Sequence, residues 1–291
     1  MKVYAKILLL GEYSVITRSD ALTIPFRKYY ARLAIPSGPF TDTQQKSHEE
    51  LLGFFRYIIK HHEVFRLKVE RLISDLERGL YLDSTIPVNY GLGSSGALVA
   101  AIFRKYSGYD FPATSLPDLK NVLGKAESYY HGKSSGIDPL SSFVNIPLVT
   151  IDNMIRKLDE SFIDHLAEKF FLYDTGMPSS TGSLVNKFLK AEQDKEYHQY
   201  CIIIKDAITD IIDGKVHQLF EFLSIISDYQ YRNFKDMIPV SIRKIWKEGL
   251  KGGDFRFKLC GSGGGGYMLV YVNNLSALPE ELKTRLIRIN Y

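Results

Sequence analysis

Tyr90-Gly91-Leu92-Gly93-Ser94-Ser95-Gly96 stands directly ahead of Ala97–Phe103, a segment that is apolar all round. Glycines let a backbone approach an anion, and a helix starting near Ser95 aims free N–H groups and the positive end of its dipole at it. A polyphosphate fits such a loop; a serine-capped helix entered through a glycine turn is the plain alternative. A second group is Glu127 followed by His131-Gly132-Lys133-Ser134-Ser135-Gly136-Ile137-Asp138. Phosphoryl transfer needs a carboxylate that takes or orients a hydroxyl proton, and a metal that bridges phosphate oxygens. Asp138 and Glu127 supply carboxylates for these tasks, and Ser94 or Ser95 a hydroxyl. The ordinary fates of such residues are a solvated helix position for Glu127 and a turn before Pro139 for Asp138.

The third group is Gly261-Ser262-Gly263-Gly264-Gly265-Gly266, set between the β-like runs Phe257–Leu259 and Tyr267–Leu269. So many glycines cost conformational entropy, and close backbone approach to a ligand explains them better than a hairpin or a linker. Cys260 beside them reads as a small packed residue, with Lys258 its only basic neighbour. Lys6, in a run that reads as a buried strand, is a snorkelling edge residue or a cation aimed into a cleft, and taken alone the former is preferred. His131 has no second His or Cys at ligand spacing, which argues against a metal role, and Trp246 reads as core.

Gly91, Gly93 and Gly96 also fit the dinucleotide pattern G-x-G-x-x-G, with Asp110 near the place of its ribose-binding acid. Asp110 follows Ser107-Gly108-Tyr109 instead of closing an apolar strand, so a nicotinamide-dependent oxidoreductase is disfavoured. Neither a Walker A loop nor the protein-kinase V-A-I-K, H-R-D and D-F-G patterns occur.

The elements that must position these residues alternate in type. Val3–Ile16 predicts strand, Gly-Glu turn, strand, and the spacing of apolar residues from Ser47 to Leu80 predicts one or two helices. Phe143–Ile151 and Phe170–Tyr173 read as strands, with polar helix material between them up to Glu168. Cys201–Ile212, Val216–Asp228 and Ile238–Leu250 read as helices, and Phe255–Val272 as a strand pair joined by the glycine loop. The class is α+β, with domains at 1–165 and 166–291. Within 291 residues, 45% hydrophobic and 24% charged, there is ample material for two cores. The net charge of +4 is spread too thinly to argue for nucleic acid. Two cysteines make neither a disulfide framework nor a zinc site, which fits a cytoplasmic protein. The apolar run Ile7–Leu10 is too short for a signal core, and no run reaches membrane-spanning length.

Together these segments resemble the superfamily of galactokinase, homoserine kinase, mevalonate kinase and phosphomevalonate kinase, the GHMP kinases. Lys6-Ile-Leu-Leu-Leu-Gly11-Glu12-Tyr13, Gly91–Ala97 and Lys258–Gly266 resemble that family's three motifs in order. His131–Asp138, with Glu127 upstream, is similar to the mevalonate kinase segment carrying a catalytic aspartate, and Asp174-Thr175-Gly176 with Ser180-Thr181 is similar to mevalonate kinases too. Tyr13 departs, standing where a histidine is typical, and Tyr90–Gly96 is closer to phosphomevalonate kinases.

The resemblance implies a two-domain fold, with an N-terminal domain like ribosomal protein S5 domain 2, a ferredoxin-like C-terminal domain, and ATP in the cleft. It implies that Asp138 acts as base or orienting group, that Lys6 favours charge on the substrate oxygen, and that Ser95 and Glu127 hold Mg²⁺. Gly91, Leu92, Gly93, Ser94, Ser95 and Gly96 would cradle the phosphates, Gly263 and Gly264 would close over the nucleotide, and Glu12, Tyr13 and Lys133 would face the substrate. Mevalonate is the expected acceptor, leading toward isoprenoid precursors, ahead of phosphomevalonate, a sugar or homoserine. Its single carboxylate suits the few cations near the site, Lys6, Lys133 and Arg18, with Lys187 and Arg243 further along the chain. A catalytically silent nucleotide-binding regulator is the non-enzyme alternative, and a homodimer is left open.

Overall fold

The protein is described from a computed structural model, over residues 1–14, 20–108, 114–179 and 195–289. Arg18, Asp110, Ser180, Thr181 and Lys187 lie outside the described residues. The chain divides into two compact units, each discontinuous in sequence. The first is Met1–Lys6, Arg27–Ile86 and Gly93–Asn145, and the second is Ile7–Phe26, Pro87–Leu92 and Ile146–Tyr291.

One mixed-length sheet runs β1 (Val3–Leu10), β2 (Ala21–Ala34), β4 (Leu148–Ile151), β5 (Met154–Lys157), with β3 (Tyr81–Ser84) also paired to β2. β1 shows no in-out alternation, and seven of its eight residues are buried, as expected of a strand covered on both faces. The second unit has a fully antiparallel sheet ordered β7 (Phe255–Leu259), β8 (Tyr267–Val272), β6 (Phe170–Asp174), β9 (Leu286–Arg288).

In the first unit, α1 (Asp42–Lys60) starts on a Thr41/Gln44 capping box and buries Leu51, Phe54, Phe55 and Ile58. α2 (Val69–Glu77) follows, and then α3 (Ser94–Tyr106), whose residues from Gly96 to Phe103 are all buried. α4 (Leu116–His131) is capped by Ser115 and carries Pro117 in its first turn, where no hydrogen bond is lost. α5 (Ile137–Val144) packs on both α3 and α4. In the second unit α6 (Lys195–Ile212), α7 (Leu219–Asn233) and α8 (Val240–Lys251) form the helical layer, with α7 and α8 on β7. Trp246 is core as expected: its Nε1 donates to Ser227 Oγ at 2.9 Å, and its ring stacks on Phe257 at 5.6 Å.

Three boundaries differ from the sequence reading. The second strand expected to begin after Glu12 does not: Tyr13 is left-handed, at φ 69°, and β2 begins at Ala21. Phe143 lies in the last turn of α5 instead of opening a strand, and Pro139 is accommodated in the first helical turn, where proline is tolerated. The polar stretch between Ile151 and Glu168 holds β5, which folds back on β4, ahead of a helix at Glu160–Ala167. Among the described residues no helix is long and apolar enough to cross a membrane.

Candidate functional site

In the first unit, Lys6 Nζ lies 3.0 Å from Asp138 Oδ1. Lys6 is 1% exposed, which overturns the snorkelling reading of this lysine. Asp138 occupies the first turn of α5 and retains partial exposure. Gly96 fixes that position: a Cβ there would lie 2.7 Å from Pro139 N and 2.8 Å from the Asp138 carbonyl carbon. Gly93, left-handed at φ 72°, sits on the ion pair itself, where a Cβ would be 2.9 Å from Lys6 Cε and 3.4 Å from Asp138 Oδ2.

Gly93 is also the cap residue of α3, and no side chain caps that helix. The serine-cap alternative therefore does not hold. Ser95 lies inside the helix, and its Oγ donates to Glu127 Oε1 at 2.9 Å. His131 Nε2 lies 3.0 Å from the same Oγ, so a His131 protonated on that nitrogen donates to it. Ser134 Oγ donates to the other Glu127 oxygen at 2.5 Å, and the Gly136 N–H donates to Ser134 Oγ at 2.9 Å. Glu127 is thus a buried, twice hydrogen-bonded carboxyl instead of a solvated one. Burial first, and the charge of Asp138 second, push its pKa up to about 7.

Ser95 and Glu127 offer oxygen donors side by side, and among the described residues no three His, Cys, Asp or Glu side chains gather into a metal cage. That donor set fits Mg²⁺, which prefers one or two carboxylates together with water and phosphate oxygens. Ser94 is half-buried at the start of α3, and Lys133 is exposed just beyond the end of α4.

In the second unit, the Glu12 carboxylate forms an ion pair with Lys258 Nζ, both buried. Tyr13 is 4% exposed, and its hydroxyl donates to the Ser262 carbonyl at 2.5 Å. The glycine loop packs against backbone of its own unit. A Cβ on Gly261 would lie 2.9 Å from Gly91 Cα, one on Gly263 would lie 2.9 Å from Met237 O, and one on Gly266 would lie 2.5 Å from Tyr90 Cα. Gly264 N–H donates to the Met237 carbonyl at 2.6 Å, and Gly266 N–H to that of Met177 at 2.5 Å. Thr175 Oγ1 donates to the Gly266 carbonyl at 2.6 Å, and Ser179 Oγ to that of Gly263. Gly91 meets the Cys260 carbonyl, Leu92 is buried, and Cys260 is a packed residue as expected. Arg243 donates to the Ile238 and Lys235 carbonyls.

Ser134, Ser179, Met237 and the pairing of Lys258 were not singled out from sequence. A signal existed for Lys258 alone: like Lys6, it is a lysine inside an apolar strand. The serines and a methionine carbonyl contribute through backbone geometry that spacing does not encode.

Residues 56–144 match the family model described as GHMP kinases N terminal domain. No curated protein matches the chain by sequence. The solved L. major mevalonate kinase in complex with R-mevalonate is similar over 94% of this chain and 87% of that one, with TM-score 0.61 and 17% identity. Streptococcus pneumoniae phosphomevalonate kinase in complex with phosphomevalonate and AMPPNP aligns over 98% and 95%, with TM-score 0.57 and 14% identity. Lactococcus lactis galactokinase complexed with galactose aligns over 93% and 84%, with TM-score 0.61 and 13% identity. At such identities the likeness concerns the fold. Residues 56–144 are thus matched as a GHMP kinases N terminal domain, and the chain has the mixed helix and antiparallel-sheet fold of the GHMP kinases.

Proposed function

We propose that this chain is an ATP-dependent small-molecule kinase that transfers the γ-phosphoryl group to an alcohol, with mevalonate as acceptor and 5-phosphomevalonate as product. The observation that carries the reading is Gly93, the left-handed cap of α3, seated on the Lys6–Asp138 pair. An uncapped helix start suits phosphate oxygens, and a carboxylate beside a desolvated lysine suits the hydroxyl that attacks them.

In this proposal Asp138 accepts or orients the acceptor hydroxyl proton, and Lys6 stabilises negative charge developing on that oxygen. Backbone N–H groups of Gly91–Gly96 hold phosphates. Ser95 Oγ and the Glu127 carboxylate hold Mg²⁺, which when bound neutralises charge on the phosphoryl oxygens. Lys133, exposed near this cluster, is assigned to the acceptor carboxylate. For Gly263, packing against Met237 already accounts for the need for glycine, and the Gly264 N–H is taken by the Met237 carbonyl, so the phosphates are assigned to Gly91–Gly96.

The test is kcat/KM for mevalonate, phosphomevalonate, galactose and homoserine with the same Mg-ATP. The expected order puts mevalonate first. A preference for phosphomevalonate above about tenfold, roughly 1.4 kcal/mol in transition-state binding, overturns the acceptor. Failure to bind Mg-ATP by calorimetry overturns the kinase.

A further inference from the structure

We infer that Glu12 and Tyr13 are positioning residues that fasten the glycine loop of residues 261–266, and through it Gly91, instead of touching the acceptor. The inference deepens the kinase reading and rests on it for its catalytic consequence.

Tyr13 is an aromatic residue in the left-handed region, at φ 69°, with 4% exposure. Bulky side chains occupy that region only where the surroundings over-determine them. Those surroundings are visible: the ring lies 4.9 Å from that of Phe234, and Tyr197 Oη donates to the Tyr13 carbonyl at 3.5 Å. The phenol has one proton, and that proton is committed to the Ser262 carbonyl at 2.5 Å. Burial and the Glu12 charge hold its pKa above the ordinary value, so it stays a neutral donor.

One residue earlier, Glu12 anchors the strand end that leads into the same loop. Its carboxylate pairs with Lys258, whose Nζ also donates to the Leu8 and Leu259 carbonyls at 3.5 and 3.0 Å. Tyr200 Oη donates to the Glu12 carbonyl at 3.4 Å and accepts from Gln230 Nε2 at 2.9 Å. Gln230 Oε1 accepts from the Leu259 N–H at 2.8 Å, which closes a buried circuit from the 12–13 turn to the base of the loop.

Beyond Ser262 the path is one of backbone against backbone. Gly261 abuts Gly91 and Gly266 abuts Tyr90, with the Tyr267 N–H on the Tyr90 carbonyl at 3.2 Å. Gly91 opens the proposed phosphate loop, where donors must be held to about 0.5 Å to be useful. A residue fixing Ser262 therefore acts on nucleotide, and one touching acceptor acts on acceptor.

Tyr13→Phe separates the two, because it keeps the ring and removes the donor. The expected result is at least about tenfold faster amide exchange at Gly264, Gly266 and Tyr267. The KM for Mg-ATP should rise by about tenfold, with the acceptor KM unchanged. Ser262→Ala keeps the carbonyl and should exchange as wild type does. Unaltered exchange in Tyr13→Phe overturns the inference, and so does a rise in acceptor KM with Mg-ATP KM unchanged. Amide exchange needs no turnover: if the wild-type chain fails to bind Mg-ATP yet Tyr13→Phe loosens those amides, the kinase reading falls and the fastening stands.

Discussion

Lys6 and Asp138 are bonded at 3.0 Å but unequally solvated: the lysine side chain is 2% exposed and the aspartate 32%. Removing one partner of a desolvated pair strands the more deeply buried charge. Asp138→Asn leaves Lys6 buried beside a neutral amide, whereas Lys6→Met leaves an aspartate that water reaches. We expect Asp138→Asn to cost about 2 kcal/mol more stability than Lys6→Met by urea denaturation, while both lower kcat by about 10²- to 10⁴-fold. Equal stability losses would contradict the unequal burial.

Gly93→Ala introduces a Cβ 2.9 Å from Lys6 Cε at a left-handed residue. The expected outcome is weaker Mg-AMPPNP binding, by about tenfold or more in calorimetry, with a stability loss of roughly 1–2 kcal/mol. Unchanged nucleotide affinity would place the phosphates elsewhere.

Glu127 carries a pH dependence of definite sign. Its carboxyl is raised from an ordinary 4.5 to about 7, chiefly by burial. The metal-free fold therefore has this group's full stabilisation below about pH 4.5 and loses it as pH rises through 7. Mg²⁺ binding runs the other way, because the proton competes for the same oxygens. The Mg²⁺ midpoint for activity should rise by about fivefold between pH 7 and 6, and Glu127→Gln should raise it at every pH and flatten that dependence.

Gly91 and Gly132 are both left-handed, at φ 80° and 70°. Only Gly91 has a neighbour where a Cβ would go, the Cys260 carbonyl, while Gly132 has open space. Gly132→Ala should cost about 1 kcal/mol and Gly91→Ala about 2–4 kcal/mol in denaturant midpoints. Similar costs would show that backbone conformation alone, not the close approach, selects Gly91.

What was legible in the sequence was local. The loop at 91–96, the buried helix after it and the β7–β8 pair follow from glycine placement and apolar periodicity, and they match the structure. The adjacency of Lys6 to Asp138 was not readable from spacing, because it depends on α5 abutting α3 at Gly96. The 261–266 loop shows the limit most clearly. Its glycines do mark close backbone approach, but the approaching backbone is that of Tyr90, Gly91, Met177 and Met237, and no local pattern says whether glycine makes room for a ligand or for the chain itself.

The discontinuity of both units governs the order in which this chain can mature. Tyr13 waits for Ser262, 249 positions later, and at ribosomal rates that delay is on the order of ten to fifty seconds. During that interval the apolar run Ile7–Leu10 of β1 can pair with β2, its neighbour in the sheet, but the rest of its unit, Ile146–Tyr291, is still being completed. Lys6 and Glu12 bracket that run with charge, which opposes self-association of nascent strands. Two charges deeply buried in the finished protein thus flank that run while the chain is still being made.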